Sequence, residues 1–179
     1  MKHIGFFFLL TLLLWAPATL AAQRADALAT RWSDAFDEWI FFREGEEVGY
    51  LEPIWRNNWT QWRLRIDTTA EIRQVREGDP TYWELSTPNE VVTARALWTN
   101  DLSQWRISDD DIRLRLNAKW ANRSDEWIIN DKSHGRLYFY AYWEGDPRDW
   151  IIVDQLGAEV SDAMWMMAVF VGVVNSFPK

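Results

Sequence analysis

The segment Val92–Ile107, with the sequence VTARALWTNDLSQWRI, contains the pattern that decides the fold. Apolar and polar residues alternate up to Trp98, six mostly polar residues follow, and the alternation resumes at Trp105. Alternation with a period of two places the apolar side chains on one face of a β-strand. Asn100 and Asp101 are residues that hairpin turns favour. The segment therefore predicts two antiparallel strands joined by a turn, with a tryptophan on each side of that turn.

The same pair of tryptophans recurs along the chain about every 22 residues. The second member of each pair occupies the positions Trp39, Trp62, Trp83, Trp105, Trp127 and Trp150. Seven residues before each of these lies the first member, in the series Trp32, Trp55, Arg76, Trp98, Trp120 and Trp143. Trp165 continues the spacing, so twelve of the 14 tryptophans follow one repeat. Each repeat is expected to contain a strand, a turn, a second strand and a second turn.

This repeat predicts a mainly β fold: an antiparallel meander of about ten short strands built from ~22-residue hairpins, curled into a sheet or closed into a barrel. Tryptophans that flank one turn could meet across the ladder, and repetition would align them as a ring at one end of the sheet. The alternative is a β-solenoid, because solenoid coils have a similar length. Apolar residues at helical spacing over Arg24–Arg43 predict an N-terminal amphipathic helix. Ala163–Val174 is almost wholly apolar and fits either a buried strand or a short buried helix.

Three segments are expected along the chain. Residues 1–21 have the features of a cleaved signal peptide, with the apolar run Ile4–Leu14 and small residues before a cut after Ala21. The N-terminal helical segment would cover 22–46, and the β-repeat domain with its apolar C-terminal segment would cover 47–179. An exported chain without cysteine indicates a bacterial periplasmic protein, with the outer membrane as the second possibility.

The spacing of the tryptophan pairs resembles the choline-binding repeats of bacterial surface proteins, which are also serial hairpins. Those repeats have a glycine before the first tryptophan and the sequence Trp-Tyr-Tyr after the turn. In this chain the second tryptophan is followed by Ile, Arg or Glu. The resemblance therefore stops at the spacing, and no choline site is carried over.

The apolar face of the strands has two possible locations. It could form the core of a soluble protein, or it could face lipid in a small outer-membrane β-barrel whose lumen the arginines would line. Membrane strands need about 9–11 residues to cross a bilayer. Here the strand that starts at Trp105 reaches Asp109 after four residues, and Trp62 is followed by Asp67 after five. Strand length therefore favours the soluble protein, with membrane association as the alternative.

Composition restricts the chemistry that the protein can perform. The formal charge of −8 disfavours nucleic acid as a partner. The absence of cysteine excludes disulfides and thiolate metal sites, and His134 is the one histidine after the signal peptide. No catalytic motif is recognisable, so no catalytic residue, metal site or cofactor is predicted. We favour a non-catalytic protein, with a glycan-active enzyme that uses acidic residues as the third hypothesis.

Seven residues are candidates for ligand binding. Trp59 lies outside the repeat in a polar turn, where an exposed indole could stack on a sugar or enter a partner's pocket; alternatively it folds over the Trp55–Trp62 pair. The others are polar or aromatic residues on the opposite face of the strands, and they are Arg63, Arg65, Arg113, Arg115, Tyr138 and Tyr140. We expect a terminal helix to cover the tyrosine patch. The sequence thus predicts a secreted binding or envelope-structure protein whose candidate partners are a glycan, a lipid or an envelope protein.

Overall fold

The computed structural model describes residues 24–120 and 122–177, so the predicted signal peptide lies outside the described residues. The described residues form twelve antiparallel strands and one helix. The elements are β1 (Ala27–Thr30), β2 (Trp39–Arg43), β3 (Glu46–Pro53), β4 (Gln61–Arg65), β5 (Thr69–Gln74), β6 (Tyr82–Ser86), β7 (Val91–Trp98), β8 (Asp101–Ser108), β9 (Arg113–Trp120), β10 (Arg123–Asp131), β11 (Gly135–Trp143), β12 (Asp146–Leu156) and α1 (Asp162–Val174).

The strands form a closed barrel in chain order. Each strand pairs with the next one along the chain, and β1 pairs with both β2 and β12. The mainly β antiparallel meander and its closure into a barrel are confirmed. A solenoid is excluded, because its successive coils would not pair as antiparallel neighbours.

The prediction of an N-terminal helix over Arg24–Arg43 is wrong, because this segment contains β1 and β2. These two strands close the barrel: Leu28 of β1 lies opposite Phe41 of β2 and Trp150 of β12, and all three side chains are buried. Without them β12 and β3 would be unpaired edges, which are unfavourable in a sheet. Residues 24–46 of the expected helical segment therefore belong to the same barrel, and the described residues form twelve strands instead of about ten.

The second tryptophans of the pairs form the inner wall of the barrel. All six are at most 3% exposed. Four of them lie directly opposite an alanine of the neighbouring strand: Trp83 opposite Ala94, Trp105 opposite Ala96, Trp127 opposite Ala118 and Trp150 opposite Ala141. A small residue beside each large one leaves space for the indole, which is how facing side chains interdigitate in a dense core.

Each inner tryptophan also makes the same local hydrogen bond. Its Nε1–H donates to the backbone carbonyl of the residue three positions earlier, over 2.7 to 3.1 Å. In the pair of strands β7 and β8, for example, Trp105 donates to the Leu102 carbonyl at 2.7 Å. A buried indole N–H needs an acceptor, and a carbonyl at the end of the barrel needs a donor. The bond explains why tryptophan, and not phenylalanine, recurs at this position.

Helix α1 fills the interior of the barrel. Every residue from Ala163 to Val173 is buried, as expected for a helix that is apolar on all sides. Its aromatic side chains contact different parts of the wall: Trp165 lies 6.0 Å from Phe41 of β2, and Phe170 lies 5.0 Å from Trp83 of β6, between ring centroids. Ser161 caps the helix by accepting a hydrogen bond from the Met164 amide at 3.2 Å. The apolar C-terminal segment is therefore a helix.

No helix in residues 24–120 and 122–177 has the length and apolarity needed to cross a membrane.

The polar residues of the strands face outward. Arg65, Arg113 and Arg115 are exposed, and Arg63 is half-buried. Their neighbours in sequence, such as Leu64 and Leu114, point into the interior and are buried. The arginines therefore do not line a lumen, because the space inside the barrel holds α1 and the apolar side chains.

Candidate functional site

The connections between strands alternate between the two ends of the barrel, because the strands form an antiparallel meander. The first tryptophan of every pair lies at the same end, in or beside the connections β1–β2, β3–β4, β7–β8, β9–β10 and β11–β12. All five side chains are exposed, by fractions between 46% and 63%. We call this set the tryptophan rim, and it comprises Trp32, Trp55, Trp98, Trp120 and Trp143.

The register of the hairpins explains why the first tryptophan is exposed. In the hairpin β7–β8, Trp98 lies opposite Asp101, whereas the inner Trp105 lies opposite Ala96. The pairing shifts between Ala96 and Trp98, which is the position of a β-bulge or similar irregularity. A bulge interrupts the alternation of inward and outward side chains. The two tryptophans of this hairpin therefore do not face each other across the ladder, contrary to the prediction, and the aligned ring consists of exposed indoles.

The rim extends around the mouth of the barrel. Twelve strands spaced about 4.8 Å apart and tilted by about 40° give a backbone diameter of about 24 Å. The six connections at this end are then about 12 Å apart around the circumference. The sixth position, in the connection β5–β6, is occupied by the exposed Arg76. The rim is thus a wide ring of separated indoles, not one continuous cluster.

Trp59 lies at the same end, in the connection β3–β4, and is 45% exposed. Its ring packs edge-on against the inner Trp62, with 5.3 Å between ring centroids, and against Phe177, with 5.7 Å. Phe177 follows α1 and stacks on Trp39 at 5.8 Å, so it brings the C-terminal segment to the mouth of the barrel. Trp59 is therefore both exposed and packed on Trp62, and its role in ligand binding stays a prediction.

A cavity of about 430 Å³ opens beside Trp59. Aromatic side chains line one part of it, and the carboxylates of Asp34 and Asp37 come from the connection β1–β2. Phe36 and Phe177 complete the aromatic wall. The cavity thus combines apolar ring surface with hydrogen-bond acceptors between the connections β1–β2 and β3–β4, at the same end of the barrel as the rim.

One rim tryptophan is fixed by a polar network on the outer wall. The Nε1–H of Trp120 donates to one carboxylate oxygen of Glu126 at 2.8 Å, and Lys119 and Tyr138 donate to the other. Burial would raise the pKa of Glu126, but the hydrogen bonds from Lys119, Tyr138 and Trp120 outweigh it and lower the pKa to about 2. The carboxylate is therefore charged at neutral pH, and it holds Trp120 in place.

The other candidate residues do not form one site. Arg63 and Arg65 lie on β4 and Arg113 and Arg115 on β9, with four strands between them on one side of the barrel and six on the other. Arg63 is 3.7 Å from the Glu52 carboxylate of the next strand, within an ion pair.

The tyrosine patch lies on the outer wall of β11. Tyr138 and Tyr140 stack there with 5.2 Å between ring centroids. The prediction that a terminal helix covers this patch is wrong, because α1 lies inside the barrel.

The exposure of the rim differs from what the sequence pattern predicts. Strand alternation extended through Trp98 places both tryptophans of a pair on one face. A signal was available in the turn: Thr99-Asn100 alone can form a two-residue hairpin loop, which places Trp98 opposite Asp101.

Fold and surface together define the class of this protein: a twelve-stranded β-barrel filled by a helix, with exposed tryptophans around one end. No family model matches the chain, and comparisons with curated proteins and with solved structures find no match. In residues 24–120 and 122–177, no three acidic or histidine side chains come together as they would around a metal ion.

Proposed function

We propose that the protein is a secreted, non-catalytic binding protein of the bacterial cell envelope, and that its tryptophan rim docks on the surface of a lipid bilayer. The observation that carries this proposal is the exposure of five tryptophans at one end of a closed barrel. Tryptophan is amphipathic and is enriched where membranes meet water. Exposed indoles in such number are unusual for a surface that contacts only solvent.

The arrangement of the indoles favours a flat surface as the partner. Neighbouring positions on the rim are about 12 Å apart around a ring about 24 Å in diameter. A bilayer surface can contact all of them at once, whereas a single sugar chain would contact two or three. The ring thus supports lipid over glycan as the partner of the rim.

The outer wall supports docking by one end over insertion of the whole barrel. Charged residues alternate along its strands, for example Arg63 and Arg65 on β4 and Glu71 and Arg73 on β5. In a transmembrane barrel the outward side chains are apolar and the lumen is polar, which is the reverse of this arrangement.

The acidic residues of the rim disfavour membranes with a negative surface charge. Acidic residues lie between the indoles, including Asp34, Asp37, Glu77 and Glu144, and the whole chain carries a formal charge of −8. Repulsion disfavours strongly anionic membranes. We therefore expect tighter binding to vesicles of zwitterionic phospholipid than to vesicles rich in anionic lipid.

Co-sedimentation with phosphatidylethanolamine–phosphatidylcholine vesicles tests the proposal. A rim tryptophan exposes about 130 Å² of its roughly 250 Å², and burying half of that at about 25 cal/mol per Å² contributes about 1–2 kcal/mol. Trp98→Ala and Trp143→Ala are each expected to weaken binding by about 5- to 30-fold. The matched control is Val91→Ala, an apolar side chain that is 52% exposed at the other end of β7. Unchanged binding by both rim variants, or an equal loss in the control, would show the proposal to be wrong.

The cavity beside Trp59 favours a second candidate function, recognition of a glycan. Its volume of about 430 Å³, its aromatic wall and its two carboxylates suit a sugar ring that stacks on an indole and donates hydroxyl hydrogen bonds. Trp59→Ala should abolish retention on polysaccharide or cell-wall columns. Trp55 is a rim residue outside this cavity, so the Trp55→Ala variant should still be retained on the same columns. Unchanged retention of the Trp59 variant would remove the glycan site.

A further inference from the structure

Two arginines on the outer wall of β4 and β5 have an acidic partner directly across the ladder. Arg63 of β4 lies opposite Glu52 of β3 and Glu71 of β5. Arg73 of β5 lies opposite Glu84 of β6 and forms an ion pair with it at 2.6 Å. Opposite charges across a ladder are mutually favourable.

The strands β7, β8 and β9 depart from this arrangement. Arg95 lies directly opposite Arg106, and Arg106 lies directly opposite Arg115. All three side chains are exposed, and none of them has an acidic group within ion-pair distance in the described part of the chain. Like charges directly opposite one another in a sheet are unfavourable. Three arginines without an ion-pair partner therefore lie in a row on this part of the outer wall.

A cleft of about 320 Å³ lies beside two of these arginines, Arg95 and Arg106, and reaches toward the rim. The other residues that line it are Thr81, Ala96, Leu97 and Thr99. The guanidinium of Arg95 sits over the ring of Tyr82 at 5.5 Å from the centroid, a cation–π contact that limits its mobility. Arg95 and Arg106 therefore line one cleft.

We infer that this cleft binds a phosphate group. Guanidinium groups pair with phosphate oxygens through two parallel hydrogen bonds, and the Thr99 hydroxyl could supply a further donor. The bound anion would also neutralise the repulsion between Arg95 and Arg106. The phosphate could belong to a phospholipid headgroup or to a soluble phosphate ester. Arg95 is three residues before Trp98, so the cleft lies about 10 Å along the strand from the rim.

The test follows the Nε–H resonances of the arginines by NMR while inorganic phosphate or glycerophosphoethanolamine, a soluble headgroup diester, is added. In the unmodified protein we expect shifts at Arg95 and Arg106. Arg106→Gln should weaken phosphate binding by roughly tenfold, because it removes charge-assisted hydrogen bonds. The matched control, Arg73→Gln, should bind phosphate normally, because Arg73 already pairs with Glu84.

Three results would separate the outcomes. An equal loss in Arg73→Gln, or no shift at Arg95 and Arg106 with either compound, would overturn the phosphate site. If the affinity of Arg106→Gln for vesicles falls, the phosphate group belongs to a lipid headgroup. If this variant loses the binding of inorganic phosphate but keeps its affinity for vesicles, the phosphate group belongs to a soluble ester. Since soluble phosphate binding does not involve the rim, Trp98→Ala should retain it even if vesicle docking fails. Urea unfolding of Arg106→Gln controls for folding, and its midpoint should stay the same or rise as the repulsion is removed.

Discussion

Replacement of an inner tryptophan by phenylalanine tests whether the tryptophans of a pair have separate roles. Trp105 is fully buried, and its indole N–H donates to the Leu102 carbonyl at 2.7 Å. Trp105→Phe keeps an aromatic ring in the core but removes the donor and part of the ring volume. Its partner in the hairpin, Trp98, is 61% exposed. Trp98→Phe is therefore the matched control, with the same chemical change seven residues away.

The expected cost of Trp105→Phe has three parts. The Leu102 carbonyl loses the donor of a partly buried hydrogen bond, which costs about 1–2 kcal/mol. The void of about 35 Å³ costs about 1 kcal/mol at about 24 cal/mol per Å³. The lost burial of apolar ring atoms adds about 1 kcal/mol. The free energy of unfolding should fall by about 3–4 kcal/mol, a large part of the roughly 5–15 kcal/mol of a typical domain.

Urea unfolding followed by far-ultraviolet circular dichroism measures both variants without relying on tryptophan fluorescence. Trp98→Phe is expected to change the free energy of unfolding by no more than about 0.5 kcal/mol, as for an exposed position. If the two variants lose the same stability, the division into inner wall and rim is refuted. If Trp105→Phe lowers the free energy of unfolding by much less than expected, the stabilising role of the indole hydrogen bond is refuted.

Three further outcomes are expected from the packing and the charges. A methyl group on Gly172 would lie 2.4 Å from the Phe139 ring, so Gly172→Ala should destabilise the barrel by about 1–3 kcal/mol. Thermal unfolding measures this loss, and an unchanged melting temperature would contradict the close packing of α1 against β11. The pKa of Glu126 falls from its ordinary 4.5 to about 2 on folding, so its stabilising effect is full above pH 4.5 and is lost as the pH falls toward 2. The stability difference between the unmodified protein and Glu126→Gln, from urea midpoints, should therefore shrink over this range, and a constant difference would contradict the network. Iodide should quench the fluorescence of the rim while the inner tryptophans stay protected; uniform quenching would contradict the buried inner wall.

The sequence predicts the repeated hairpins well, because strand alternation and turn chemistry are local properties. Trp105 and Ile107 are buried as the period of two requires, and Arg106 between them is exposed. The N-terminal segment could not be assigned in this way. Leu28 and its apolar neighbours fit helical spacing, but the segment is a pair of strands because β12 provides a partner almost at the other end of the chain.

The exposure of the rim and the phosphate cleft depend on information that a single strand does not carry. Continued alternation would place Trp98 on the same face as Ala96, and only the cross-strand register shows the bulge between them. Likewise, Arg95 and Arg106 are each ordinary outward residues of their own strands. Their juxtaposition follows from the register of β7 against β8, which the pattern of neither strand determines.

The dimensions of the barrel explain why inner tryptophans and a buried helix occur together. A twelve-stranded barrel has a backbone diameter of about 24 Å, too wide for ordinary aliphatic side chains to fill from the wall alone. A helix with its side chains occupies about 10–12 Å, which leaves a gap of about 6 Å on every side. The largest side chain spans such a gap, and the inner tryptophans contact α1 in this way, as Trp62 and Trp83 do at Phe170. The interior is thus filled by packed side chains, and the sites proposed for ligands lie at the mouth of the barrel and on its outer wall.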